Sequence, residues 1–187
     1  MKKIMIVVVC TLALALCTAN VFAQDTLKED YFANANTAGA PDATLRLSNP
    51  GTYANGNICA SIFVFDPNQE LSECCSCLLT PDGLRTLSVD KDVTGNPLTG
   101  VVLATGKIAI VSTVPVNNVC PLPTAVYPAA AIRSWATHIQ NSNFTVTETA
   151  SQDATLSSGE ITRLGKQCYA LSLIGSGKGI CGCGSGD

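Results

Sequence analysis

The sequence has few charges, a single histidine and no cluster of basic residues. Lys and Arg number 11 and Asp and Glu number 14 in 187 residues, so charged residues make up 13% of the chain. The scattered basic residues argue against a nucleic-acid partner, because proteins bind nucleic acids through a concentrated basic surface. The apolar fraction of 47% excludes a disordered acidic tail. Ser, Thr, Asn and Gly supply the polarity instead, which is typical of a β-rich secreted protein.

Recognisable catalytic motifs are also missing. A serine-type triad would have to use His138, the only histidine, and no Gly-x-Ser-x-Gly segment presents a nucleophile. Asp66, Glu70 and Glu73 are candidate acids for an extracellular hydrolase, but such acids are recognised by their separation in space and not in sequence. We therefore predict that the chain is not an enzyme.

The N-terminal residues have the pattern of a secretory signal peptide. Lys2 and Lys3 precede an apolar run over residues 4–16, and small residues before position 24 predict cleavage after Ala23. An uncleaved membrane anchor and a lipoprotein cut before Cys17 are the alternatives. The run is too short to span a bilayer, and Leu16 is not the small residue that a lipoprotein site needs. We predict a secreted, extracellular or periplasmic protein without a transmembrane segment in its mature part.

The predicted mature chain, residues 24–187, has the length of one domain. Without the two leader lysines it keeps nine basic residues against fourteen acidic ones. Residues 24–41 are polar and rich in Ala and Asn, and we interpret them as an arm or linker with a short helix near residues 27–32. Residues 42–187 are predicted to form a single β-rich domain.

Eight cysteines remain after the leader is removed. Their even number and the oxidising compartment predict four disulfide bonds. Adjacent cysteines rarely pair with each other, so the two clusters are expected to bond elsewhere, including to one another. A thiolate metal site or a redox site is the alternative, since Cys74 and Cys77 have the Cys-x-x-Cys spacing. The cysteines are Cys59, Cys74, Cys75, Cys77, Cys120, Cys168, Cys181 and Cys183.

Alternation of apolar and polar residues predicts β-strands in most of the remaining chain. Residues 44–47 alternate between polar and apolar, as in a half-buried strand, whereas residues 58–65 are apolar on both faces, as in a central strand. Residues 100–105 and 107–114 resemble a hairpin joined near Gly106. Residues 129–140 fit either a strand or a helix, and the proline-rich loop before them favours a strand.

Near the C-terminus the period changes to that of a helix, predicted over residues 158–174. Ser157 is the expected N-cap, with Glu160 as its capping-box partner, and Gly175 is the expected stop. Cys168 lies on the apolar face, so a disulfide is expected to hold the helix to the sheet. These elements predict a mainly β, sandwich-like fold with one C-terminal amphipathic α-helix, stabilised by disulfides.

A short acidic segment resembles the first half of a calcium loop. Asp90, Asp92 and Thr94 occupy positions one, three and five, and Gly95 occupies position six. The acid expected at position twelve is replaced by Val101. Calcium is therefore a weak alternative to a chain without a cofactor, and a polar turn is the competing interpretation.

Three segments resemble a group of uncharacterised small secreted bacterial proteins. They are residues 57–60 (NICA), residues 80–89 (TPDGLRTLSV) and residues 175–181 (GSGKGIC). The resemblance implies export and shared cysteines, and it implies no activity, fold or site.

Three functional hypotheses follow from these patterns. The first is a secreted or envelope-associated, non-enzymatic protein with a structural, adhesive or assembly role, which associates with itself or with another envelope protein. The second is a module that binds small ligands or carbohydrates, with calcium assistance through Asp90 and Asp92. The third is an extracellular hydrolase.

Overall fold

A computed structural model describes residues 26–129 and 131–184. The predicted signal peptide, its cleavage site and the first residues of the predicted arm lie outside these residues. The described part contains nine strands, a five-residue π-helical turn and one long helix. Their bounds are β1 Leu27–Phe32, β2 Thr44–Ser48, β3 Ile58–Phe65, β4 Leu71–Leu79, β5 Leu84–Ser88, the π-turn Val89–Val93, β6 Gly106–Thr113, β7 Arg133–Gln140, β8 Thr145–Ala150, β9 Gln152–Ala154 and α1 Ser158–Leu173.

The strands form two antiparallel sheets. The five-stranded sheet has the order β4-β3-β6-β1-β9, and the four-stranded sheet has the order β5-β2-β7-β8. The predicted mainly β fold with one C-terminal helix and four disulfides is confirmed. Residues 133–140, which sequence left open between strand and helix, form the strand β7.

The space between the sheets holds the larger hydrophobic core. Leu45 and Leu47 of β2 point into it, while Thr44 and Arg46 stay half-exposed on the outer side, as the alternation predicts. The facing side chains of β3 and β6 complete this layer. Burying each large aliphatic side chain contributes roughly 1.5–3 kcal/mol, so this core is the main source of the sandwich's stability.

A second core lies on the other face of the five-stranded sheet, under α1. Phe63 of β3 packs there with Leu164 and Leu171 of the helix. All eight residues of β3 are buried, which confirms the prediction of a central strand covered on both faces. The molecule therefore has three layers, with the four-stranded sheet on one side and α1 on the other.

Helix α1 begins where the sequence predicts. The Ser157 side chain accepts a hydrogen bond from the Glu160 backbone N–H at 3.1 Å. The Glu160 carboxylate pairs with Arg163 at 2.5 Å. Gly165 lets the loop before β7 approach closely, because a Cβ there would lie 2.9 Å from the Thr124 carbonyl oxygen. None of the helices in the described residues has the length and the apolarity that crossing a bilayer requires.

The prediction of a polar arm over residues 24–41 is wrong for Leu27–Phe32. These residues form β1, which pairs with β6 along its whole length and with β9 on its other side. The predicted short helix is wrong for the same reason. Leu27 and Phe32 are almost fully buried, and the burial of such side chains outweighs the weak local preference of the segment.

The predicted hairpin around Gly106 is also wrong. Gly106 is the first residue of β6 and pairs with Phe32, and residues 100–105 form no strand. A Cβ at position 106 would lie 2.3 Å from the Phe65 carbonyl oxygen. Glycine is needed here for close packing between neighbouring strands and not for a turn.

Candidate functional site

Strand alternation in β4 decides where its three cysteines bond. Cys75 and Cys77 point towards the core between the sheets, whereas Cys74 points towards α1. Each therefore meets a different partner, and the predicted bond between α1 and the sheet is confirmed at Cys168. The four bonds are Cys59–Cys120, Cys74–Cys168, Cys75–Cys181 and Cys77–Cys183.

The chain after α1 covers the outer edge of β4 as a short parallel segment. The Cys74 backbone N–H donates to the Gly179 carbonyl at 2.8 Å, and the Cys181 N–H donates to the Cys74 carbonyl at 3.3 Å. In parallel pairing, cysteines two residues apart on one strand face cysteines two residues apart on the other. The equal spacing of Cys75/Cys77 and Cys181/Cys183 was a sequence signal for this pairing.

The alternative of a thiolate metal or redox site does not fit this arrangement. In the described part of the chain, one group of three His, Cys, Asp or Glu side chains is close enough to share a metal ion. It consists of Cys75, Cys77 and Cys183. All three are bonded in disulfides. A metal-binding thiolate requires a free sulfur, so these cysteines act as covalent links between β4 and the tail.

The three predicted calcium ligands lie in and just after the π-turn, and each of their side chains forms a hydrogen bond with a backbone group of the protein. The Asp92 carboxylate accepts the Ser88 backbone N–H at 2.8 Å. The Asp90 carboxylate accepts the Asn36 N–H at 2.9 Å. The Thr94 hydroxyl is buried and donates to a backbone carbonyl of the turn at 2.7 Å. This geometry supports the competing interpretation of a polar turn.

His138 lies in a buried polar seam where β1, β7 and β8 meet. Its Nε2 is 2.8 Å from the Thr149 hydroxyl and 3.4 Å from the Asp30 carboxylate, and its ring stacks on Tyr31 with centroids 4.3 Å apart. In a catalytic triad the acid binds the ring nitrogen that does not face the nucleophile. Here both groups share Nε2, and Nδ1 has no hydrogen-bond partner among the described residues. The seam fastens the two sheets together, with Ser151 also donating to Asp30.

The carboxyl of Glu73 is strongly perturbed by the fold. It lies at a β-bulge in β4 and is fully buried. One carboxyl oxygen accepts the Asn96 N–H at 3.2 Å, and the other has no hydrogen-bond partner in the described structure. Burial raises the pKa of Glu73 from 4.5 to about 8, and the hydrogen bond from Asn96 acts in the opposite direction without offsetting it. Asp66 and Glu70, the two other candidate acids, lie in the exposed or half-exposed turn before β4.

The outer face of the four-stranded sheet carries the only tryptophan of the chain. Trp135 is half-exposed in β7, with Arg46 of β2 and the small Ala150 of β8 on either side. Arg46 reaches across β7 and forms an ion pair with Glu148. No sequence motif marks Trp135 as functional, but the alternation along β7, with Ser134 and Ala136 buried on either side, turns the indole outwards.

Strand β8 forms one edge of this sheet, and all six of its residues are exposed. Within the described residues it pairs with β7 alone. Of the other described sheet edges, β4 is covered by the disulfide-bonded tail, and β9 is only three residues long. Strand β5 has five residues, and its Arg85 donates to the Cys183 carbonyl of the tail at 2.6 Å. An exposed strand edge offers unpaired backbone groups to another strand, so β8 is the candidate interaction site.

Comparison with known proteins adds little to this geometry. No family model matches the chain, and no curated protein sequence matches it. Among solved structures, Thermotoga maritima 1070 aligns with 74% of this chain and 100% of its own, at 13% identity and a TM-score of 0.42. A similarity this distant carries no inference about fold or function. The resemblance to secreted bacterial proteins stays a prediction.

Proposed function

We propose that this chain is an exported, non-enzymatic protein with an assembly role, and that the edge of β8 is its contact surface. The observation that carries this proposal is the fully exposed strand Thr145–Ala150. Strand addition at a free edge satisfies the backbone groups of both partners and needs no pocket. The four disulfides support the assignment to an oxidising compartment outside the cytoplasm.

The test places a charge on this edge. Val146 is 53% exposed on β8, and Val116 is 55% exposed on a loop outside the strands. Lysine on an edge strand opposes strand addition. We expect light scattering to show that the exported protein forms oligomers whose mass increases with concentration. The Val146→Lys variant should remain monomeric, and the Val116→Lys variant should form the same oligomers as the wild type. A wild-type protein that stays monomeric and crosslinks to no envelope protein would refute the proposal.

A second candidate function is carbohydrate binding at Trp135. The half-exposed indole lies beside the Arg46–Glu148 ion pair. Sugars bind such surfaces by stacking a ring on the aromatic face, while charged groups form hydrogen bonds with the hydroxyls. Because the chain has one tryptophan, its fluorescence reports on this face alone. Titration with neutral and acidic oligosaccharides is expected to shift the emission. An unchanged spectrum, together with no heat of binding in calorimetry, would count against this function.

A further inference from the structure

Helix α1 has a second apolar surface that faces away from the protein. Its inner face is formed by Leu164, Cys168 and Leu171, which are buried against the sheet. Tyr169 and Ala170 lie three and four residues after Lys166, and Leu173 lies four and three residues after them. All four residues are exposed. They form a continuous ridge on the outermost layer of the molecule, which we call the outer ridge.

The exposure of this ridge is unusual for a surface helix. Tyr169 is 53% exposed, Leu173 is 66% exposed, and Ile174, the residue that ends the helix, is 54% exposed. The outward face of a helix in a water-soluble domain is normally polar. Three large apolar side chains within six residues, at one end of one helix, point to a surface that is covered in the functional state.

The turn after the helix extends this surface. A Cβ added at Gly175 or at Gly177 would meet no atom within 4 Å, so these two positions face open space, although the Gly177 carbonyl accepts a hydrogen bond from the Asn96 side chain at 2.6 Å. Lys178 follows and is exposed. From residue 164 to residue 184 the chain contains two lysines and no acidic residue, although its net charge is −3. Arg163, just before this range, is paired with Glu160. The ridge is therefore both apolar and basic.

We propose that the outer ridge and the turn after it dock on a membrane surface that contains anionic lipid. Leu173 and Ile174 enter the boundary between headgroups and acyl chains, and Tyr169 lies at the headgroup level. Lys166 and Lys178 contact the lipid phosphates, which complement their charge. The protein thereby lies on the bilayer. This role goes beyond assembly through β8, because β8 belongs to the four-stranded sheet, whereas α1 packs on the five-stranded sheet.

The experiment measures co-flotation of the exported protein with vesicles. One set contains phosphatidylcholine alone and the other contains phosphatidylcholine and phosphatidylglycerol. The test variant is Leu173→Gln with Ile174→Gln. Its matched control is Val101→Gln with Val102→Gln, which changes two neighbouring valines that are 63% and 61% exposed elsewhere on the surface. Circular dichroism checks that both variants keep the fold.

We expect the wild type and the valine control to float with the phosphatidylglycerol vesicles, less so at high salt because screening weakens the lysine contacts. The Leu173/Ile174 variant should bind at least about tenfold more weakly, since it loses two inserted aliphatic side chains. Equal binding of the variant and the wild type, or no binding by the wild type, would overturn the proposal. A wild-type dimer that the variant dissociates would also overturn it, because a second copy would then cover the ridge.

Discussion

Substituting Glu73 by glutamine should remove a pH dependence of folding that the buried carboxyl creates. The Glu73 side chain is completely buried in β4, and one of its oxygens has no hydrogen-bond partner in the described residues. Burial raises its pKa from 4.5 to about 8. The folded protein therefore holds a proton on Glu73 at neutral pH, whereas the unfolded chain has lost it.

The direction of the effect follows from proton linkage. Unfolding releases this proton between pH 4.5 and about pH 8, so the free energy of unfolding falls as the pH rises through this window, by about 1.4 kcal/mol per pH unit. The full contribution of Glu73 is present below pH 4.5 and is lost above about pH 8. The total loss is on the order of 3–5 kcal/mol.

Glu73→Gln keeps the oxygen that accepts the Asn96 N–H, but it cannot ionise. At pH 4.5 we expect the free energy of unfolding of the variant to be similar to that of the wild type or slightly lower. As the pH rises to 8 the wild type loses stability and the variant does not, so the variant becomes more stable by about 3 kcal/mol. Urea unfolding of the oxidised protein at a series of pH values measures this difference. All other titrating groups cancel in the comparison.

Glu70→Gln is the matched control, because Glu70 is exposed in the turn just before β4. Its stability curve should run parallel to that of the wild type across the whole pH range. If the Glu73→Gln curve also runs parallel to the wild type, the buried carboxyl does not carry a raised pKa and the reasoning is refuted.

Three further predictions concern the links within the fold. Removing the bond between Cys77 and Cys183 by serine at both positions should lower the free energy of unfolding by about 2 kcal/mol, because the intact Cys75–Cys181 bond already closes the long loop. An unchanged urea midpoint would contradict this. Gly106→Ala should destabilise the protein by about 1–3 kcal/mol, because the added Cβ would overlap the Phe65 carbonyl oxygen. A melting temperature equal to that of the wild type would show that the two strands can move apart there without a loss of stability. Asp92→Ala should lower the free energy of unfolding by about 1 kcal/mol, because the Ser88 N–H loses its acceptor. The decrease should be the same with and without calcium. If calcium raises the melting temperature of the wild type but not of the variant, Asp92 is a calcium ligand and this interpretation is wrong.

Several elements were predictable because their patterns are local. The alternation in β2, the two-faced apolar run of β3 and the N-cap of α1 each depend on residues within a few positions of one another, and all are confirmed. The predicted arm was wrong at β1 because Leu27–Phe32 is short and polar in its middle, and its burial comes from contacts with β6 and β9. Polar residues such as Lys28 lie buried there only because distant strands surround them.

The sequence by itself determined the period of β2, β3 and α1 and the number of cysteines, which together specify a disulfide-linked, mainly β protein with a terminal helix. Only the tertiary structure decided the full set of bonds, because 105 pairings are compatible with eight cysteines and the choice depends on which distant segments pack against β3 and β4. The same holds for Glu73 and Trp135. Alternation indicates that a side chain points to one face, but only the packing of the layers decides whether that face is core or solvent.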